Sequence, residues 1–300
     1  MSKRKSGLNV HGIILLDKRL GVSSNKALQE VRRLFNANKA GHTGSLDPLA
    51  TGLLPLCFGE ATKVSGMMLD DDKRYAVTIL LGVMTDTGDA EGAVLETKPV
   101  PPLSLEQIHA CLQHFTGDID QVPPMYSALK HNGRKLYELA REGITIDRKA
   151  RHITLYEIKL LDFAGDLLSL EVFCSKGTYI RSLAEDIGHY FGCGGTVTVL
   201  RRLQAGQFQL ANARTIEQLT AMSAQELNAC LMAVDEPLQT IPAVQLSDEQ
   251  STAIQYGQTI AYDNSEAGTV RIYHNELFLG LGEMTLNGKL SPKKLFNLSD

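Results

Sequence analysis

No apolar run in these 300 residues reaches the length of a membrane span. The N-terminus, Met1-Ser-Lys-Arg-Lys-Ser-Gly7, is basic, but the apolar stretch after it, 13–16, is too short for a signal core, so a cytoplasmic protein is expected. The five cysteines, Cys57, Cys111, Cys174, Cys193 and Cys230, are odd in number and form no Cys-x-x-Cys pair. That argues against a disulfide framework and a thiolate zinc site, and leaves them as small core residues. No His-x-x-x-His pair supports a histidine-built metal site. No Gly-Lys-Ser/Thr closes a glycine cluster, so the phosphate-loop pattern fails. The acidic turn 85–92 has the wrong spacing and ending for a calcium loop. Positive charge is also short: the net charge is -4 and the pI about 6.1, so any polyanion must be met by a local patch.

What is present is ordinary in bulk and uneven in detail. Hydrophobic content of 43% and charged content of 21% fit a globular chain with one large domain, or one large and one small. The most uneven stretch is Gly41-His42-Thr43-Gly44-Ser45-Leu46-Asp47-Pro48-Leu49-Ala50-Thr51-Gly52, which packs an acid, an imidazole, three hydroxyls and three glycines into twelve residues. It has neither helical nor strand periodicity and reads as an ordered loop. Pro48 biases Asp47 away from helical backbone, which can aim a carboxylate. Asp-Pro strings are also common turn formers, so the loop alone does not establish chemistry.

Around it, the patterns predict a strand at 12–18, a helix at 25–35 capped by Ser23 or Ser24, a helix at 60–69 and a strand at 73–83. A proline linker leads to a helix at 104–115 capped by Ser104. Strands follow at 153–160 and 167–174, then a helix starting near Tyr179 and a strand at 196–202. In that helix Arg181, Glu185 and Gly188 fall close to one face. Arg181 sits where the helix dipole disfavours a cation, so a carboxylate partner from elsewhere would suit it. Residues 211–238 read as helical. From 244 on, short strands separated by glycines suggest a small β-barrel.

Residues 124–152 stand apart. Seven bases (Lys130, Arg134, Lys135, Arg141, Arg148, Lys149, Arg151) face three acids (Glu138, Glu142, Asp147), a local net of +4 in a negative chain. Tyr126, His131, Tyr137 and His152 are interleaved with them. A solvated helix face explains most such runs, but aromatic interleaving in an acidic chain also fits an RNA contact.

Several segments, taken in order, resemble the bacterial TruB family of tRNA pseudouridine-55 synthases. They are Asp17-Lys18 with Gly21 and Ser23-Ser24-Asn25, the 41–52 stretch, Lys73-Arg74-Tyr75, Pro123-Pro124-Met125-Tyr126-Ser127-Ala128, and Gly177-Thr178-Tyr179-Ile180-Arg181 running on to Gly188. Arg19 departs from the family, which has proline there. The resemblance implies an α+β pseudouridine synthase fold: a mixed, mostly antiparallel central sheet flanked by helices and loops in a catalytic domain at 1–240. It implies an RNA-clamping insertion at about 124–152 and a PUA-like RNA-binding barrel at 241–300.

The resemblance further implies that a uridine in the T-arm stem-loop of tRNA is flipped out, cut from its ribose at N1 and rejoined through C5, with no cofactor and no metal. Asp47 matches the essential carboxylate, acting at C1′ or at the C2′ proton, and Arg181 matches its ion partner. Tyr75 matches the tyrosine that packs on the base and assists C5 proton removal. Tyr179 and Leu200 match the lining of the uracil pocket, and His42 matches the residue filling the space left by the flipped base. Lys130, Arg134, Arg141, Arg148 and Lys149 fall in the clamp. The glycines of 41–52 are expected to leave room for RNA. No protein partner is implied, and a monomer is the default.

Two other readings compete. One is a non-catalytic RNA-binding or RNA-folding protein on the same scaffold. The other is a sugar hydrolase using Asp47, for which no second carboxylate is evident near the motif.

Overall fold

The computed structural model describes residues 7–263 and 266–298. The basic residues 1–6 of the N-terminus, and 299–300 at the end of the C-terminal region, lie outside the described residues. The chain begins with strand β1 (Gly12–Lys18), in which Ile14 and Leu16 enter one apolar cluster and Ile13 and Leu15 another. A strand with both faces buried reads as a continuous apolar run, and this one does. Helix α1 (Ser24–Leu34) follows, with Ser23 accepting from the amide of Lys26 as its N-cap. Ala27, Leu28 and Val31 give it one buried face. Strand β2 (Ala40–His42), the loop 43–49 and strand β3 (Ala50–Phe58) come next, so the irregular stretch is shorter than expected and both its ends are strand.

Strand β4 (Lys73–Leu81) is followed by the short hairpin Val83–Thr85 and Val94–Thr97, helix α2 (Leu105–Phe115) with its Ser104 capping box, and strand β5 (Gly117–Gln121). The segment 124–150 holds a two-residue hairpin and the helical turn Leu136–Arg141. Strands β6 (Arg151–Ala164) and β7 (Leu167–Cys174), helix α3 (Ile180–Tyr190) and strand β8 (Gly195–Ala205) complete the large sheet.

That sheet has ten strands in the order 214–215, β1, β3, β8, β4, β7, β6, β5, with β2 added to β3 and 208–209 to β8. The pairs β3·β8 and β1 with 214–215 are parallel and the others antiparallel, as the mixed-sheet expectation required. The residues of α1, α2 and α3 bury Val77, Ile79, Leu170, Val172 and Val197 on one face. Gly188 of α3 is required by this packing: a Cβ there would lie 2.0 Å from the backbone carbon of Gly194.

Three expectations change. Residues 60–69 are not one helix but a 3-10 turn, Gly59–Lys63, and a short helix, Ser65–Leu69. Residues 211–238 are broken into Ile216–Thr220, Ala224–Ala229 and the 3-10 turn Glu236–Leu238. The capping boxes at Thr215 and Ser223 start new helices there, and Pro237 stands in the first turn of the last, a position proline favours. In the C-terminal region, helix α4 (Asp248–Gln255) sits among the expected strands.

The C-terminal region forms its own five-stranded sheet, built from β9 (Gly268–His274), β10 (Leu277–Met284) and β11 (Lys289–Leu295) with two short strands at the margins. Phe278, Leu281 and Phe296 pack in one cluster with Ile13, Leu53 and Met68 of the large domain. Lys63 donates to the Leu295 carbonyl at 2.7 Å, and Glu60 accepts from the Asn297 amide at 2.9 Å. The outer face of β1 and β3 is thus covered by the second sheet.

Candidate active site

The loop 43–49 is held by its neighbours before any side chain faces solvent. Ser24 accepts from the Leu46 amide at 2.7 Å and donates to the Leu46 carbonyl at 3.0 Å. The Pro48 carbonyl accepts from the Gly21 amide at 2.9 Å. Beneath it, the buried Lys18 ammonium donates to the carbonyls of Val22 (2.7 Å) and Arg19 (3.1 Å), with Pro48 at 3.5 Å. Burial pulls Lys18 down to about 8, and the Asp47 carboxylate opposes that shift. Arg19 makes a two-pronged pair with Glu30, at 2.8 and 3.1 Å, that ties its turn to α1.

Asp47 projects from this platform with 43% of its side chain accessible and meets Arg181 at 3.0 Å. Arg181 comes from the first turn of α3 and is 7% accessible. It also donates to the carbonyls of Thr87 (2.8 Å) and Tyr126 (2.7 Å) and lies 3.7 Å from Asp89. The carboxylate partner that its position called for is therefore supplied twice. Lost hydration pushes the Asp47 carboxyl up; Arg181 and Lys18 pull it back, and Asp89 adds to the rise.

Asp89 escaped the sequence reading. It lies in the acidic turn 85–92, is 6% accessible, and accepts from Thr87 Oγ1 at 2.7 Å and the Glu91 amide at 3.1 Å. Its signal was an Asp among turn formers, which looks like any solvated turn. Its burial beside Arg181 is a long-range fact. So placed, it is a partner for a cation and not an acid open to a substrate.

Tyr75 on β4 lies opposite Arg202 of β8. Burial pushes its phenol up while Arg202 pulls it down, and the Asp47 charge reaches it too. Leu200 lies two residues before Arg202, paired with Val77 and Ala50, and is nearly buried. Tyr179 caps α3 two residues before Arg181. Gln121 fixes its backbone, accepting from its amide at 2.8 Å and donating to its carbonyl at 3.1 Å. His42 closes β2, with its Nδ1 buried and unbonded. Burial, then the Arg202 charge, push its pKa down and favour a neutral ring. Asp47 and Arg181 are thus in direct contact, Tyr75 feels the Asp47 charge, and Leu200 and Tyr179 flank the strand and helix that carry them.

One glycine of this stretch is required by the protein's own packing. Gly52 has φ +98°, and a Cβ there would lie 2.4 Å from the Arg202 carbonyl oxygen. The close approach serves the β3·β8 strand contact within the protein, not a nucleic acid.

The basic segment is divided. Lys130, Arg134, Arg141 and Lys149 are exposed; Arg134 pairs with Glu142, and Arg141 stacks over Tyr137 at 5.3 Å. Arg148 instead turns inward, donating to the Pro123 carbonyl at 3.1 Å with its Nε buried. Among the described residues no cluster of His, Cys, Asp and Glu has metal-holding geometry. The cysteine thiols are free, and burial pushes Cys57, Cys111 and Cys174 up to about 12, which fits core residues. No helix among the described residues is long and apolar enough to cross a membrane.

Comparison with known proteins covers almost the whole chain. Residues 32–180 match the TruB family pseudouridylate synthase N-terminal domain. Residues 181–239 match the tRNA pseudouridylate synthase B C-terminal domain, and 242–296 the Pseudouridine synthase II TruB C-terminal domain. A tRNA pseudouridine synthase B of Chromohalobacter salexigens is 50% identical over 300 residues, covering 99% of this chain and 98% of its own. One of Dechloromonas aromatica is 49% identical over 300 residues, covering all of both chains. In three dimensions, a chain from a crystallised Cbf5–Nop10–Gar1 complex superposes with a TM-score of 0.70 at 23% identity, covering 95% of this chain and 84% of that one, which establishes the shared fold.

Proposed function

The chain belongs to the TruB family of pseudouridylate synthases, and from that premise we propose that it isomerises uridine to pseudouridine in tRNA, at position 55 of the T-loop. The observation that carries this reading is the Asp47–Arg181 ion pair, set on a braced loop within electrostatic reach of Tyr75. The reaction breaks the N1–C1′ bond, forms a C5–C1′ bond and exchanges the C5 proton for one on N1. Substrate and product have the same atoms, so the protein must supply position and charge at the sugar and a proton acceptor at the base.

Asp47 works at the sugar. Attack on C1′ and removal of the C2′ proton both need an ionised carboxylate at close range, and Arg181 favours that form against the cost of lost hydration. Tyr75 packs on the base and takes the C5 proton. Tyr179 and Leu200 line the uracil pocket. His42, flat and neutral, occupies the stack vacated by the flipped base and recovers part of the few kcal/mol that extrusion costs. The exposed bases of the insertion, Lys130, Arg134, Arg141 and Lys149, grip the T-arm. Arg148 secures the insertion to its stem. The C-terminal unit, 241–300, adds a second RNA contact of PUA type. The protein acts in the cytoplasm as a monomer.

Mapping pseudouridine in tRNA from a strain lacking the protein tests this. Uridine 55 is expected unmodified, restored by the wild-type chain and not by Asp47→Asn. Full modification at that position without the protein would overturn the assignment.

A further inference from the structure

We propose that Arg202 is a positioning residue for the reaction: its buried guanidinium lies across the sheet ladder from Tyr75 and faces the negative charge that the tyrosine oxygen carries when it takes the C5 proton. The proposal rests on the reading of Tyr75 given above.

Arg202 is 1% exposed, and it lies directly across the β4·β8 ladder from Tyr75, so both side chains leave the same face of the sheet. Its Nε donates to the Leu53 carbonyl at 2.7 Å, its Nη2 approaches the Gly44 carbonyl at 3.5 Å, and the Tyr75 side chain is its cross-strand neighbour. One cation therefore joins β3 and the loop carrying Asp47, beside the tyrosine.

The telling feature is its lack of an anion. Among the described residues no carboxylate lies within 4.0 Å of Arg202. Its sequence neighbour Arg201 has Asp17 at 2.6 Å, and Arg181 has two acids. A buried charge left unpaired is costly, and a neutral donor would serve two backbone carbonyls as well. The charge makes sense if a negative partner appears during turnover. The other charged and titratable groups acting with it on this region are Asp47 and Cys174 on the Tyr75 side, and His42, Lys18 and Lys73, all three of which Arg202 pushes towards the neutral form. Without Arg202 a phenolate at Tyr75 would lose the cation that lies across the ladder from it, while Arg181 and Lys18 are engaged with Asp47.

The step balances. The phenol first loses its proton to water. After the C5–C1′ bond has formed, the phenolate oxygen takes the C5 proton. The C5–H electron pair restores the C5–C6 double bond, the C6–N1 π pair moves onto N1, N1 takes up a proton from water in place of the one the phenol released, and the phenol is regenerated.

Single-turnover rates on tRNA carrying protium or deuterium at C5 of the target uridine test the proposal. Arg202→Gln is expected to be slower by ~10- to 100-fold, with a C5 isotope effect that the wild type does not express. Arg202→Lys keeps the charge but loses the fork, so it falls between the two with the isotope effect still present. In a Tyr75→Phe background, Arg202→Gln is expected to cost nothing more. Slowing without an isotope effect, or an equal loss in the Tyr75→Phe background, would overturn the proposal and leave Arg202 as a brace for Leu53 and Gly44. Should Arg202→Gln fail to melt cooperatively, Arg202→Lys decides by the same isotope criterion. Wild-type turnover lost in Asp47→Asn supports the reading of the site whatever Arg202→Gln does, so the two can fail separately.

Discussion

The loop 43–49 and the insertion 124–150 are both irregular, and they treat their charges in opposite ways. The loop has its backbone sewn down by Ser24, Gly21 and Lys18, and its one acid is met by a nearly buried arginine. The insertion holds two short hydrogen-bonded elements and leaves four of its bases at the surface. An irregular backbone that its surroundings over-determine can aim a side chain, and one that they leave loose can only present charge; that contrast underlies the two roles we propose. Arg148 marks the boundary, since it belongs to the basic run in sequence and to the braced stem in space.

Removing the brace should do the most damage. Arg181→Met leaves Asp89 buried without its cation and Asp47 without its partner. We expect a loss of about 3 kcal/mol of stability by denaturant unfolding and ~1000-fold in single-turnover rate. A variant as stable and as active as wild type would mean that the pair is ornamental.

Next is the backbone. Gly52→Ala forces a Cβ against the Arg202 carbonyl at a left-handed φ, and should cost about 2–4 kcal/mol, read as a fall in melting temperature. An unchanged melting temperature would show that the β3·β8 approach is loose.

The pH profile is a finer test of the loop. Because burial raises the Asp47 carboxyl, it is protonated at pH values where a free aspartate (about 3.9) is ionised. Activity should therefore disappear as pH falls through that raised value, giving kcat an acid limb above the ordinary aspartate range. The groups facing Asp47 are Arg181, Asp89 and Lys18, and only Asp89 adds to the rise that burial causes. A limb at or below the ordinary value would mean that the two cations prevail.

The smallest effect on chemistry belongs to the insertion. Arg141→Gln with Lys149→Gln should leave kcat at saturating tRNA unchanged and reduce the slope of log K against log salt by about 1.4–1.8. Arg148→Gln should leave that slope unaltered, because its guanidinium is spent on Pro123. Equal slopes for all three substitutions and wild type would remove the clamp.

Local pattern made much of this legible. The apolar run of β1, the Ser23 and Ser104 caps and the β-branched β4 each carry their own signal within a few residues. Asp47 stands out in its loop and Arg181 by its place against the helix dipole, but Tyr75, and the grouping of the three, come only from ordered segments resembling one family. Asp89 and Arg202 were not legible, because what distinguishes them is burial beside residues remote in sequence. Helix α4 was passed over although Ser247 and Gln250 form a capping box, since the glycine-spaced strands around it dominated the pattern. Residues 211–238 have helical composition, but the capping boxes at Thr215 and Ser223 divide them into short helices.

The account turns on Asp47. Single-turnover release of tritium from C5 of a uridine labelled at position 55 of tRNA, measured for wild type and Asp47→Asn at matched tRNA occupancy, tests it most directly. Release by the wild type and none above background by Asp47→Asn, with tRNA affinity retained, is the predicted result. Comparable release from both proteins would contradict it.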